Sequence, residues 1–101
     1  MNRVILVART TNNIEGRDTS TGKHYARFGL ALPKADDSCD FINCQAWGKV
    51  AEFAENYIKD KGTRICVEGR LTTYKDKNNN TRVEVIADHI EFADGRKQPE
   101  E

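Results

Sequence analysis

The chain has 101 residues, of which 38% are hydrophobic and 32% charged, with 16 basic and 16 acidic side chains that leave a formal net charge of zero. That length supports one domain with a single modest core, and the balanced charge excludes a polybasic protein. The longest apolar run, Val4 to Ala8, is far short of the roughly 18 residues a membrane helix requires. It lies directly behind Arg3, too short and too early for a secretion signal, so a cytoplasmic protein is expected.

Residues 3–11 read as strand one, with Val4, Leu6 and Ala8 on one face and Arg3, Ile5, Val7 and Arg9 on the other. Turn chemistry follows between Gly16 and Gly22. Strand two spans about Lys23 to Leu32. Ala26, Phe28, Leu30 and Leu32 form its apolar face, and Lys23, Tyr25 and Arg27 lie opposite. Pro33 ends it, and a polar loop runs to Asp40. Strand three, residues 41–47, carries an unusual pattern. Ile42, Cys44 and Ala46 make an ordinary core face, while Phe41, Asn43, Gln45 and Trp47 share the other side, two amides between two large aromatics.

At residues 49–59 the period changes. Val50, Phe53, Ala54, Tyr57 and Ile58 recur at helical spacing and predict one short amphipathic helix, stopped by Lys61-Gly62. Strand four, about Thr63 to Tyr74, turns Ile65, Val67 and Leu71 inward. It turns Arg64, Glu68, Arg70, Thr72 and Tyr74 outward. Asn78-Asn79-Asn80 predicts a hairpin tip, because Asn tolerates positive φ. Strand five, about Arg82 to Phe92, changes phase: Val83 and Val85 are odd, Ile90 and Phe92 even. A bulge near Ala87-Asp88 accounts for the slip. The order β-β-β-α-β-β, with a lone helix between the third and fourth strands, is that of an all-β OB-fold barrel. Residues 1–93 are expected to form it, leaving 94–101 as a short, disordered acidic tail.

Catalysis finds no support. There is no G-x-x-x-x-G-K-[ST] loop, no paired acid cluster and no G-x-S-x-G. Cys39, Cys44 and Cys66 are odd in number and outside any C-x-x-C, and His24 and His89 stand far apart. Reduced thiols, no metal and no cofactor are expected of a protein that is not an enzyme. The charge is unevenly spread: residues 1–83 hold 14 bases against 10 acids, and the remainder is acidic. A mildly basic body of this kind permits a nucleic-acid partner.

Several segments in series resemble the bacterial and phage single-stranded DNA-binding proteins. They are NRVILVAR at 2–9, GKHYARFGLAL at 22–32, DFINCQAWGKVAEFAENYIKDKGTRICVEGRL at 40–71 and VEVIADHIEF at 83–92. The resemblance implies an OB-fold that covers single-stranded DNA without sequence preference in replication, recombination and repair, and assembles as a homotetramer or dimer. It places Phe41 and Trp47 at stacking positions. Tyr74 and Tyr25 are further stacking candidates, with packing or a subunit interface as the competing use of each aromatic. Asn43 and Gln45 are candidates for hydrogen bonds to bases or phosphates. Phosphate candidates are Arg3, Arg9, Lys23 and Arg27 on the early strands and Lys49 at the helix start. Arg70, Lys75, Lys77 and Arg82 extend them along the last hairpin. Strand one and the last hairpin are where subunits of the family meet.

The sequence also departs from the family pattern. Asp18 stands near a common Tyr, Ala8 replaces a common Gly, and Tyr74 is a residue or two out of register. A stacking aromatic after strand two is missing. The chain ends at Gln98-Pro99-Glu100-Glu101 rather than in a long tail with a hydrophobic tip, which leaves the replication and repair partners that such a tip recruits unassigned. A second reading is a primosome-type OB module that docks a helicase or loader and binds DNA only secondarily. A third is an OB domain that prefers RNA.

Overall fold

A computed structural model describes residues 1–99. In it the chain forms six strands and one helix: β1 (Val4–Thr10), β2 (Gly16–Asp18), β3 (His24–Pro33), β4 (Cys39–Trp47), α1 (Gly48–Phe53, extended to Ile58 by a turn of wider π pitch), β5 (Arg64–Lys75) and β6 (Thr81–Phe92). The five longer strands agree with the expected ones to within about two residues at each end. β2 is additional. It is three polar residues paired with β3, Gly16 opposite Ala26 and Asp18 opposite His24, and too short to carry an alternation of its own.

The strands close into a ring. β1 pairs with β5, β5 with β6, β6 with β4, β4 with β3, and β3 returns to β1 through Arg9–Ala31 and Thr10–Leu30. All pairings are antiparallel except β4–β6, which is parallel. The helix lies between the third and fourth strands of this ring and packs on β3, β4 and β6, the OB-fold arrangement. Among the described residues no helix is long and apolar enough to cross a membrane.

Alternation sorts the side chains as expected over most of the barrel. Phe28, Leu30, Cys44, Ile65, Val67, Val85 and Ile90 are buried, with Ile58 from the helix. Four alanines, Ala26, Ala46, Ala51 and Ala54, are buried where the helix meets the sheet. Their small side chains let the helix approach closely and plug the barrel. Cys44 is buried and its thiol is pushed up to about 12, first by burial and then by the charge of Glu84. Thiolate chemistry at this position is thereby suppressed.

Two inward assignments are corrected. Leu71 is 48% exposed, and Tyr57 is half exposed while stacking on Phe53 with centroids 5.3 Å apart. Leu71 does alternate with Val67, but the pairing of β1 with β5 ends at Val4–Gly69, so Leu71 lies on an uncovered edge while its partner Val85, flanked by β4, stays buried. The hairpin tip is as predicted. Asn79 has φ 64°, and the Asp76 carboxylate accepts the backbone N–H groups of Asn78 and Asn80 and the Nε–H of Arg82. Those donors hold the Asp76 carboxyl below its ordinary range.

The phase slip in β6 is a one-residue bulge. Glu68 faces His89 and Gly69 faces Ala87, leaving Asp88 unpaired between them. At this crossing a Cβ on Gly69 would sit 1.9 Å from the carbonyl oxygen of Ile86, a backbone atom with little freedom to retreat. Gly69→Ala is therefore expected to cost about 1–3 kcal/mol, read as a lower urea midpoint at unchanged slope.

His24 ties three elements together. One ring nitrogen lies 2.8 Å from Asp18 Oδ1 at the end of β2, and the other 3.0 Å from Glu55 Oε1 on the helix. The hydrogen bond to Asp18, followed by that to Glu55 and the charges of both acids, raises its pKa against the opposing effect of burial. A raised folded-state pKa stabilises most below the ordinary value of 6.5, and the contribution fades as pH climbs through the raised value. His24→Gln should accordingly lower the melting temperature more at about pH 5.5 than at about pH 8.5, which paired thermal melts would measure.

Candidate nucleic-acid interface

Trp47 and Tyr25 are brought together by the β3–β4 register. They are direct cross-strand partners, with ring centroids 5.2 Å apart and planes tilted by 31°. Such pairs contribute about 0.5–1.5 kcal/mol beyond burial. The same register sets Arg27 opposite Gln45, Gly29 opposite Asn43 and Ala31 opposite Phe41. All these side chains point away from the core. Trp47 remains 39% exposed and Phe41 74%. They stand six positions apart on β4, about 20 Å of extended strand.

β6 continues this face next to β4, and β5 lies beyond it. Tyr74 pairs with Arg82 and Thr72 with Glu84. Tyr74 joins the cluster through Arg27, whose guanidinium carbon lies 5.7 Å from the Tyr74 ring centroid. Gln45 is committed on both sides: its Oε1 accepts the Trp47 indole N–H at 2.5 Å, and its Nε2 donates to Glu84 Oε1 at 2.5 Å. Asn43 is exposed beside them. Trp47, Tyr25, Gln45, Arg27 and Tyr74 thus form one connected patch. Phe41 stands apart at the far end of β4.

The remaining cations are dispersed around it. Arg3 pairs with Glu68 at 3.6 Å, Arg70 with Asp88 at 3.7 Å and Arg82 with Asp76 at 2.8 Å. Arg9 donates to the Gly62 carbonyl, and Lys75 to the Thr81 hydroxyl. Exposed Lys23, Lys49 and Lys77 form no ion pair among the described residues. Several of the basic side chains are therefore already matched by a neighbouring acid.

Two features of the face were not anticipated from the sequence. One is Glu84, 2% exposed beneath the patch. Its place between Val83 and Val85 marked it as outward-facing, but nothing in the sequence marked it as covered. The other is a groove of about 330 Å³ beside Tyr25 and Arg27, lined also by Asn12, Asn13, Glu15 and Arg17. It depends on the pairing of β2 with β3, which local periodicity does not reveal.

Relatives share this chain's sequence and fold. A single-stranded DNA-binding protein of Halalkalibacterium halodurans is 39% identical over 106 residues, covering 95% of this chain and 62% of the relative. One from Fusobacterium nucleatum is 36% identical over 107 residues, covering 95% of this chain and 69% of its own length. The chain thus spans a little under two thirds of the first of these. A crystal structure of a deletion mutant of the single-stranded DNA binding protein from Thermus aquaticus superposes over 100% of this chain and 45% of its own, with a TM-score of 0.79 and 32% identity. The profile of the Single-strand binding protein family matches residues 1–93, and the chain belongs to that family.

Proposed function

We propose that this chain binds single-stranded DNA without sequence preference across the outer face of β3, β4 and the β5–β6 hairpin. It protects exposed strands during replication, recombination and repair in the cytoplasm. The observation that carries the reading is the Tyr25–Trp47 pair, two aromatics held 5.2 Å apart on the solvent side of a sheet whose core is already filled. Flat apolar rings stack on any base, at about 1–3 kcal/mol each, so binding of this kind tolerates sequence. Phe41 offers a second platform several nucleotides away. The strand's phosphates meet the exposed lysines around the patch. The names of the relatives support the same reading.

A homo-oligomer, a tetramer or a dimer, is supported by apolar groups exposed away from the Tyr25–Trp47 pair. Ile5 and Val7, 59% and 44% exposed, share the outer face of β1, and Leu71 and Val83 are exposed on the hairpin. A second copy of the chain would cover these apolar groups.

Trp47 is the single Trp, so its fluorescence reports this site alone. Oligo-dT should quench it strongly and duplex DNA little, with affinity falling as salt rises. Trp47→Ala should weaken binding roughly 5- to 150-fold. Absence of any binding to oligo-dT would overturn the reading and favour the docking module. For the assembly, sedimentation at micromolar concentration should give a species larger than the monomer, and Val7→Glu should shift it towards the monomer.

A further inference from the structure

Glu84 is an acid buried in the middle of a face proposed to bind a polyanion. Its Oε1 accepts from Gln45 at 2.5 Å and lies 3.7 Å from a guanidinium nitrogen of Arg27. The indole N–H of Trp47 fixes the orientation of the Gln45 amide, because it requires the Gln45 oxygen and leaves only the nitrogen for Glu84. Arg27 in turn lies against Tyr74.

We infer that Glu84 is a positioning residue that makes Arg27 part of the base-stacking floor instead of a phosphate ligand. The inference rests on the proposed binding of single-stranded DNA by this face. A guanidinium paired with a buried carboxylate has little net charge to offer, and a phosphate approaching it also meets the charge of Glu84, poorly screened by water. The plane of Arg27 stays available, since the side chain is 59% exposed. Guanidinium planes stack on bases as aromatic rings do. The centre of the face then presents a run of flat groups from Trp47 and Tyr25 through Arg27 to Tyr74. Phosphates are directed outwards, towards lysines such as Lys23, Lys49 and Lys77.

The salt dependence of oligo-dT binding tests this, measured for the unaltered protein, Arg27→Gln, Glu84→Gln and the double variant. Each phosphate neutralised on a single strand contributes about 0.7 to the slope of log affinity against log salt. Arg27→Gln should weaken binding but leave the slope unchanged. Glu84→Gln should free the charge of Arg27 and steepen the slope by about 0.7, and the double variant should restore it. A slope flattened by about 0.7 in Arg27→Gln would mean that Arg27 neutralises a phosphate despite Glu84, and would overturn the inference. So would an unchanged slope in a folded Glu84→Gln. If circular dichroism finds Glu84→Gln unfolded, the slope of Arg27→Gln decides alone, since that side chain is largely exposed. Failure of the unaltered protein to bind oligo-dT sinks the underlying reading and this inference with it, an outcome distinct from either slope result.

Discussion

At Gly69 the bare backbone of β5 lies so close to the carbonyl of Ile86 on β6 that no side chain fits between them. β5 and β6 are the two longest strands and pair with each other from Ile65–Phe92 to Lys75–Thr81, while β1 covers the other edge of β5 only from Arg64 to Gly69 and β4 the other edge of β6 only from Val85 to Ala87. The Asp88 bulge at this crossing changes the phase of β6, so that Val85 and Ile90 both reach the core although one position is odd and the other even. Without the slip, one end of β6 would turn its apolar groups to water. Just before this crossing β4 meets β6 in parallel, and Gln45 lies beside Ile86 and within reach of Glu84. The proposed binding face is therefore built on the same strand pairings that close the barrel.

The same strand serves both sides of the sheet. In β4, Cys44 and Ala46 fill the core while Trp47 and Gln45 are held outside by a chain of hydrogen bonds and a cross-strand ring contact. Exposed aromatics on a sheet are an aggregation hazard in most proteins. Here they are oriented by polar neighbours, which suits a surface that has to remain flat and open. The matched charges have a related effect. With Arg3, Arg70 and Arg82 each beside an acid, these three cations carry less uncompensated charge, which in the proposed binding mode leaves stacking a larger share of recognition.

Much of this was legible in the sequence because it depends on period. The helix, the five long strands, the Asn79 tip and the Asp88 bulge all follow from side-chain alternation and turn chemistry. The outward placement of Trp47 and Phe41 does too. Alternation reports which way a residue points, however, and not whether the core extends that far, which is why Leu71 was misjudged. Cross-strand register depends on where the loop of residues 34–38 returns the chain, so the facing of Tyr25 by Trp47 could not be read locally. Glu84 escaped for a different reason. Counting charge along the chain assigned it to an acidic end, whereas its burial arises from Gln45 and Arg27 on two other strands.

The last part of β6 lies beyond its pairing with β4, which reaches only to Ala87. There the side-chain amide of Gln98 accepts from the backbone N–H of Phe92 and donates to the carbonyl of Ile90. Arg96 lies over the Phe92 ring, 4.4 Å from its centroid, and is held by Asp94. A single glutamine thus takes up the donor and acceptor that a foreign strand would use to extend the sheet. With Gln98 in place, the backbone groups of Ile90 and Phe92 on this edge are no longer free for a second sheet to pair with.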